Sequence, residues 1–289
     1  MSNRSVTLYA TGFKHPEGPA FDRNGNLFVV NIETSDILKI SPEGSVPGRF
    51  GLLYGKVELF VNTRGVPNGA KFHANGELYV ADREKGIIAI SPEGNVRIIV
   101  DNYKGKKLNG PNDLIFDYKG NLYFTDPHGS SAENPIGCIY RLSTDGELTQ
   151  IASGLAYPNG LVISPDGRDL LVAITRKNRI MRYLLDTEGR PVRNTIFSQL
   201  SGGWGGPDGM AMDMAGNLYI AHWWGGDVLI LNPKGEIIER VWVGGMLPTN
   251  LVFGGPDRKT LFVTEAETGS VYRFNTDYPG IPLYGELNI

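Results

Sequence analysis

Short hydrophobic runs separated by turn residues recur along almost the whole chain, and one phrase marks each recurrence. The phrase consists of a proline, a polar residue, usually a glycine, a hydrophobic run, a tight turn and a second hydrophobic run. The hydrophobic runs are rich in Val, Ile, Leu, Tyr and Phe, which favour β-strands, whereas Gly, Asn and Asp in the turns favour hairpins. The phrase occurs six times, beginning at Pro16, Pro67, Pro111, Pro158, Pro207 and Pro248.

The spacing of these phrases predicts the architecture. Successive repeat prolines lie 41 to 51 residues apart, and each unit carries four strand signals, which in the fifth unit read GMAMDM, LYIAHW, VLILNP and IIERVWV. Units of this length with four short strands are typical of the blades of a β-propeller. The sequence therefore predicts an all-β fold, a six-bladed β-propeller with four antiparallel strands per blade, as one domain over residues 1–289.

Closing such a ring requires a place for the segment that precedes the first repeat. SVTLYATGF, residues 5–13, has the pattern of a strand but belongs to no unit. Because an unpaired sheet edge is a liability, we expect this N-terminal strand to become the outer strand of the last blade. IPLYGEL, residues 281–287, is the competing candidate for that position.

The residue after each repeat proline is polar, and ring closure would point all six toward one axis. Four of them form a shell of two carboxylate and two amide oxygens, which suits a hard divalent cation, Ca²⁺ first, with Mg²⁺, Mn²⁺ or Zn²⁺ as alternatives. The competing interpretation is that each residue merely caps a turn. The predicted ligands are Glu17, Asn112, Asn159 and Asp208, and Asn68 and Thr249 complete the ring.

The loops that follow the second strand of each blade should emerge on the same face as this ring. They carry a mixed polar and aromatic set suited to holding a small polar molecule, although structural loop contacts would explain them equally well. His222 and His128 are the candidates for proton transfer because imidazole titrates near neutral pH. The predicted substrate contacts are Asn68, Arg83, Asp126 and Trp223.

Composition narrows the class of function. The 289 residues are 41% hydrophobic and 20% charged, with a net charge of −3 and a pI near 5.9, which disfavours nucleic-acid binding. No apolar segment is long enough to cross a bilayer and no secretory signal is visible, so a cytoplasmic protein, monomeric by default, is the expectation. Cys138 is the only cysteine, which excludes an internal disulfide. No Gly-x-Ser-x-Gly or HExxH motif occurs, so covalent serine catalysis is not expected.

Several phrases together resemble the gluconolactonase family of six-bladed propellers, which includes senescence marker protein 30 (regucalcin). They are EGPAF at Glu17, NGPNDLIFD at Asn112, GNLYFTDPHGS through Asp126, YPNGLVISPDG at Asn159 and PDGMAMD at Asp208. The resemblance implies a divalent metal in the central channel, held by the four ligands predicted above, and hydrolysis of sugar-acid lactones. The related diisopropyl-fluorophosphatase propellers hold calcium with the same Glu, Asn, Asn, Asp pattern.

One departure from the family pattern concerns the substrate. Regucalcin-like members have an arginine two residues before the third-blade asparagine, where it contacts substrate, and this chain has Gly110. The leading hypothesis is metal-dependent lactone hydrolysis in which Asp208 takes a proton from the attacking water. Two alternatives stay open: a non-enzymatic propeller that binds a ligand or protein, and a metal-dependent organophosphate hydrolase.

Overall fold

The computed structural model describes residues 4–42, 46–47, 53–54, 56–202 and 205–287. Within these residues, six four-stranded antiparallel sheets follow one another along the chain. The sixth sheet takes its outer strand, β1 (Thr7–Thr11), from the N-terminal part of the chain. Blade one contains β2 (Pro16–Phe21), β3 (Leu27–Asn31), β4 (Asp36–Ile40) and β7 (Val57–Asn62), with a small hairpin of β5 (Val46–Pro47) and β6 (Leu53–Tyr54) between the last two.

The other blades have the same internal order. Blade two contains β8 (Pro67–Phe72), β9 (Leu78–Asp82), β10 (Gly86–Ile90) and β11 (Val96–Val100), and the hairpin of β12 (Asn102–Tyr103) and β13 (Lys106–Lys107) leads to the next blade. Blade three contains β14 (Leu114–Phe116), β15 (Leu122–Asp126), β16 (Gly137–Leu142) and β17 (Leu148–Leu155). Blade four contains β18 (Pro158–Ile163), β19 (Asp169–Ile174), β20 (Arg179–Leu185) and β21 (Pro191–Gln199). Blade five contains β22 (Gly206–Met212), β23 (Leu218–Trp223), β24 (Asp227–Leu231) and β25 (Ile237–Trp242). Blade six contains β26 (Pro248–Gly254), β27 (Thr260–Glu265) and β28 (Ser270–Asn275), completed by β1.

The N-terminal strand closes the ring. β1 pairs antiparallel with β28, with Thr7 opposite Arg273 and Thr11 opposite Ser270, and is the outer strand of blade six. The prediction of a six-bladed propeller closed by the N-terminal strand is therefore confirmed. The competing C-terminal segment takes another position, where the Ile281 N–H donates to the Met212 carbonyl (3.0 Å). There it covers the end of the axial channel on the side of the hairpins that join first and second strands.

The core lies between neighbouring blades. Each blade faces another on both sides, so its middle strands are largely buried, and every residue of β3 and of β10 is buried. Between blades four and five, for example, Val162 and Leu171 pack against Met210 and Ile220. This double burial explains why the strands read as near-continuous hydrophobic runs.

The first strand of nearly every blade begins with an irregularity that bears on the channel. The register of β2 with β3 shifts between Glu17 and Ala20, and corresponding shifts occur in blades two, four, five and six. In blade three the regular strand begins only at Leu114. A bulge re-aims the side chains next to it. These register shifts lie beside the polar residue that follows each repeat proline, and they therefore affect the direction of its side chain.

The described helices are only short 3₁₀ turns, at Ile32–Thr34, Thr175–Lys177 and Tyr284–Glu286. None of the helices in the described ranges has the length and apolar character needed to cross a bilayer.

Candidate metal centre

The six polar residues that follow the repeat prolines are all buried at the start of the innermost strands. Their exposed fractions range from 1% for Thr249 to 8% for Asp208. Hydrogen bonds between neighbouring blades join the backbone around them: the Gly69 N–H donates to the Asn112 carbonyl (2.7 Å), and the Thr125 hydroxyl donates to the Asn159 carbonyl (2.9 Å). The first strands are thus packed side by side around one axis.

The glycine after the polar residue is required by this close approach. A Cβ on Gly160 would fall inside contact distance of the Asp208 carbonyl, and one on Gly209 would meet the side chain of Asn250. Neither neighbour has room to withdraw, because both belong to the adjacent inner strand. The recurring Pro-polar-Gly phrase is therefore the sequence signature of a narrow ring.

Glu17 and Asp208 are two carboxylates on this ring, and both are held out of water. Burial, followed by the charge of Asp113, raises the pKa of Glu17 to about 7. Burial, followed by the charges of Glu17 and Asp113, raises the pKa of Asp208 well above its usual range. The charge of Glu17 thus disfavours the charged form of Asp208. A cation between them would remove that repulsion.

Several ring oxygens also lack any hydrogen-bond partner. Asn112 Oδ1, Asn68 Oδ1 and Asp208 Oδ1 are buried without a donor in the described part of the chain. Buried acceptors without a partner are costly and uncommon. Within the same residues no three Asp, Glu, His or Cys side chains are grouped so that they could hold a metal ion, so a cation at this ring would need amide oxygens as well. The residues present fit a hard divalent cation held by carboxylate and amide oxygens.

Thr249 closes the ring differently. Its hydroxyl donates to the Pro16 carbonyl (2.7 Å) and contacts the Thr264 hydroxyl (2.7 Å), so it joins blade six to blade one. Thr249 therefore links the last blade to the first.

Asn159 makes two side-chain hydrogen bonds. Its Nδ2 donates to the Thr175 hydroxyl (3.3 Å), and its side chain hydrogen-bonds to Asp208.

Two residues behind the ring were missed by the sequence argument. Asn250 Nδ2 donates to Glu17 Oε2 (3.0 Å) and to Asp113 Oδ2 (3.3 Å), so one amide joins two buried carboxylates. The available signal was their position: in the other four repeats the residue after the polar one is glycine. Asn250 holds Glu17 in place, as the partners of metal ligands commonly do, and Asp113 accepts from the same amide.

Asp126 was predicted to contact the substrate, but its carboxylate faces the backbone of a neighbouring loop. It is 1% exposed, and its carboxylate accepts hydrogen bonds from the N–H groups of Asn109 (2.9 Å) and Gly110 (2.6 Å). These bonds hold the loop that leads to Asn112. Since backbone donors occupy both oxygens, Asp126 acts as a loop clamp that positions a predicted ligand.

The same clamp recurs at the end of the second strand in blades one, two and six. Asp82 Oδ1 accepts from the Val66 N–H (3.1 Å), and Glu265 Oε1 accepts from the Leu247 N–H (2.8 Å). Asn31 Oδ1 accepts from the Lys14 N–H (3.0 Å). The polar set expected to face a ligand is therefore turned toward the chain that enters each blade, because those N–H groups have no strand partner.

His222 occupies this slot in blade five. Its side chain is fully buried, its Nε2 lies 2.9 Å from Asn178 Oδ1, and the backbone of Gly225 packs against its ring. Burial, together with the charge of Arg240, lowers its pKa to about 4. A neutral imidazole without exposed surface is poorly suited to the proton transfer predicted for it.

The remaining predicted residues lie at the mouth of the channel. Gly110 has a φ of +146°, and a Cβ there would lie 2.7 Å from both Arg83 Cγ and His128 Cβ. Arg83 is half-buried and makes no ion pair with any described residue, whereas His128 is exposed. Trp223 stacks on His15, with ring centroids 5.5 Å apart. Arg83 and His128 therefore cover the position at which regucalcin-like members have their arginine.

Tyr157 is a further mouth residue that the sequence argument missed. Burial raises its pKa, the charges of Arg83 and Arg176 lower it, and those of Asp208 and Glu17 raise it. The guanidinium of Arg176 lies 5.6 Å from the centre of its ring. Its φ is +63°, and His15 has a φ of +54°. Each precedes a ring residue by two positions, and strained backbone of this kind is common at functional sites.

Comparison with known proteins agrees with this architecture. The matching family model, described as the SMP-30/Gluconolactonase/LRE-like region, spans residues 15–267. Diisopropyl-fluorophosphatase from Loligo vulgaris is 30% identical, with 93% of this chain and 91% of that protein covered. A gluconolactonase from Zymomonas mobilis is 31% identical, with 90% and 78% covered. The solved calcium-binding protein regucalcin from Agrobacterium tumefaciens has a TM-score of 0.79 at 22% identity, with 98% and 97% covered, and shows the fold.

These matches, together with the six-bladed fold, establish the family of the chain. The family model spans most of the chain, and two relatives at 30% identity or more align over nine-tenths of it. The chain belongs to the SMP-30/gluconolactonase/LRE-like family of six-bladed β-propellers.

Proposed function

We propose that the protein is a metal-dependent hydrolase that opens the ring of a sugar-acid lactone. One observation carries the proposal: buried carboxylates and the unpaired oxygen of a buried amide share the propeller axis, a combination that a divalent cation satisfies. The reaction class is supported by the relative named gluconolactonase. We retain the expectations of a single domain, a cytoplasmic location and a monomer.

Glu17, Asn112, Asn159 and Asp208 would hold the cation through oxygen atoms alone. Such a set suits Ca²⁺ best, with Mg²⁺, Mn²⁺ or Zn²⁺ as alternatives, and the regucalcin neighbour is described as calcium-binding. A bound cation supplies a Lewis acid for the lactone carbonyl and lowers the pKa of a neighbouring water.

Asp208 is the proposed proton acceptor. Its Oδ1 has no donor among the described residues, so this oxygen is free to accept a proton. As the water oxygen bonds to the lactone carbonyl carbon, Asp208 takes the proton that the water loses. The ring C–O bond then breaks, and the ring oxygen leaves as a hydroxyl after it gains a proton.

The mouth residues have complementary proposed roles. His128 is the proposed donor of the proton to the departing ring oxygen, because it is exposed and lies against Gly110. Arg83 and Trp223 would contact the substrate hydroxyls and ring face, and Asn68 would contact the substrate from within the ring. Tyr157 joins this set because the charges of Arg83 and Asp208 both influence its pKa.

A second candidate is favoured by one comparison. The diisopropyl-fluorophosphatase relative is 30% identical over nearly the whole chain, so a metal-dependent organophosphate hydrolase has a specific precedent. Sugar lactones and a phosphofluoridate should be tested with and without EDTA. Metal-dependent lactone turnover supports the proposal, and phosphofluoridate turnover alone supports the second candidate. If the protein shows neither activity, a non-enzymatic binding propeller is the remaining hypothesis.

Replacing each of the two candidate histidines by glutamine separates proton transfer from packing. We expect His128→Gln to lower kcat about 10-fold or more without changing the melting temperature. His222→Gln should keep kcat near that of the wild type but lower the free energy of unfolding by about 1–3 kcal/mol, because Asn178 loses a buried partner. Steady-state kinetics and thermal melts of both variants check this. The reverse pattern would return the proton-transfer role to His222.

Removing the guanidinium of Arg83 should weaken substrate binding more than chemistry. We expect Arg83→Met to raise KM about 10-fold with little change in kcat, because the guanidinium has no ion pair with any described residue to lose. Arg64→Met, at an exposed arginine of the preceding loop, is the matched control. Equal KM values for the two variants would remove Arg83 from the substrate contacts.

A further inference from the structure

A buried lysine lies on the propeller axis beneath the ring. Lys71 follows Asn68 by three positions on β8 and is 6% exposed. Its side chain enters the part of the channel lined by Ile115, Val162 and Val252. Ile281 and Leu283 of the C-terminal segment line the same cavity and close its far end. The ammonium group is therefore enclosed in a mainly apolar space.

No ion pair with a described residue explains the burial of Lys71. Among the described residues no carboxylate lies within ion-pair distance of its Nζ, and its hydrogen bond is to the neighbouring Ala70 carbonyl (3.1 Å). Glu286 lines the same cavity but pairs with Arg258 (3.6 Å) and accepts from the Leu283 N–H (2.6 Å). A buried ammonium without compensating charge is costly, so the compensation must act over a longer distance.

The charge of Lys71 influences the pKa values of two buried carboxylates, Asp113 and Glu17. Burial raises the pKa of Asp113, and the charge of Lys71 is the largest influence that lowers it. The pKa of Glu17 is raised by burial and by Asp113, and Lys71 lowers it. Asn250 joins these two carboxylates through one amide, as described above. Lys71 therefore lies in the electrostatic field of the proposed metal centre.

The charges on the axis then balance. Glu17, Asp113 and Asp208 are three buried carboxylates, each less than a tenth exposed. One divalent cation offsets two of their negative charges, and the ammonium of Lys71 offsets the third. Without Lys71, a centre holding one divalent cation would keep an uncompensated negative charge in a medium of low dielectric constant.

We propose that Lys71 is a permanent counter-charge built into the channel, which neutralises the third carboxylate and sets the affinity of the centre for its divalent cation. This inference rests on the proposed metal centre. Lys71 is a positioning residue, since it acts on the cation through Glu17 and Asp113 and contacts no substrate. Its ammonium lowers the attraction of the ring for cations, so its removal should strengthen cation binding.

Calorimetric titration of the full-length protein with Ca²⁺ tests this directly. We expect Lys71→Met to bind Ca²⁺ about 10-fold more tightly than the wild type, or more, because one repelling positive charge is removed. Asp113→Asn should bind at least about 10-fold more weakly, and the double variant should return close to the wild-type affinity. Lys39→Met, at a half-buried lysine of blade one, is the matched control and should leave the affinity unchanged.

The outcomes separate this inference from the proposed function. Lys71→Met binding with wild-type or weaker affinity, while the wild type binds Ca²⁺, would overturn the counter-charge alone. A wild type that binds no divalent cation would overturn the metal centre and this inference with it. If Lys71→Met does not fold, Lys71→Gln and Lys71→Arg replace it: the glutamine variant should bind more tightly, and the arginine variant should match the wild type.

Discussion

Asp208→Asn is expected to reduce lactone turnover by about a thousand-fold or more while leaving the fold intact. Asparagine keeps the size of the side chain and one oxygen for the cation, but it cannot accept the proton of the attacking water. Losing a general base costs about 10²–10⁴-fold, and weaker charge compensation at the centre adds to that loss. Removing one of three buried like charges should also make the metal-free protein no less stable, because the repulsion from Glu17 disappears.

Two measurements decide the result for Asp208. The kcat of the variant with saturating Ca²⁺ tests the proton acceptor, and a thermal melt tests the fold. Asp117→Asn is the matched control, because Asp117 caps the turn between β14 and β15 on the opposite side of the propeller. Asp208→Ala should be as inactive as Asp208→Asn. Wild-type turnover by either variant would contradict the mechanism.

Removal of the metal is expected to abolish turnover and to make stability depend on pH. In the metal-free protein the pKa of Glu17 is about 7, whereas its ordinary value is 4.5. The folded state therefore binds more protons than the unfolded state between these values. Its free energy of unfolding should fall as pH rises from about 4.5 to about 7, by at most about 1.4 kcal/mol per pH unit for one such group. Burial and neighbouring charge push Asp208 in the same direction.

A bound cation should cancel this decline, because it stabilises the ionised carboxylates. Melting temperatures across this pH range, with EDTA and with excess Ca²⁺, provide the test. Glu17→Gln serves as the control, since it removes one of the two groups whose pKa is raised and should make the curve measured in EDTA shallower. Identical pH profiles with and without Ca²⁺ would argue against a cation bound to Glu17 and Asp208.

The fold could be predicted because its determinants are local. Each blade repeats hydrophobic runs and turn residues within about 50 residues of chain, and these patterns depend on strand and turn preferences. Even the N-terminal closing strand followed from a simple rule, that a propeller avoids an open edge. The ring residues were found for the same reason, since the repeat itself aligns Glu17, Asn112, Asn159 and Asp208.

The contacts around the ring required the tertiary structure. Asn250 is 233 positions from Glu17 and 137 from Asp113, and no local pattern predicts that one amide joins them. Asp126 and His222 were aligned correctly at the ends of second strands, but the direction of their side chains depends on the path of the incoming loop. That path also decides whether an oxygen meets a backbone N–H or the channel.

The repeating pattern of proline, polar residue and glycine was sufficient to establish six blades, their strand order and the polar residues nearest the axis. Only the folded chain revealed which side chains reach that axis, because bulges, loop clamps and packing between blades decide direction at the strand ends. Lys71 illustrates the difference. In the sequence it is one lysine within an ordinary strand, and in the propeller it is an ammonium group enclosed beneath three carboxylates.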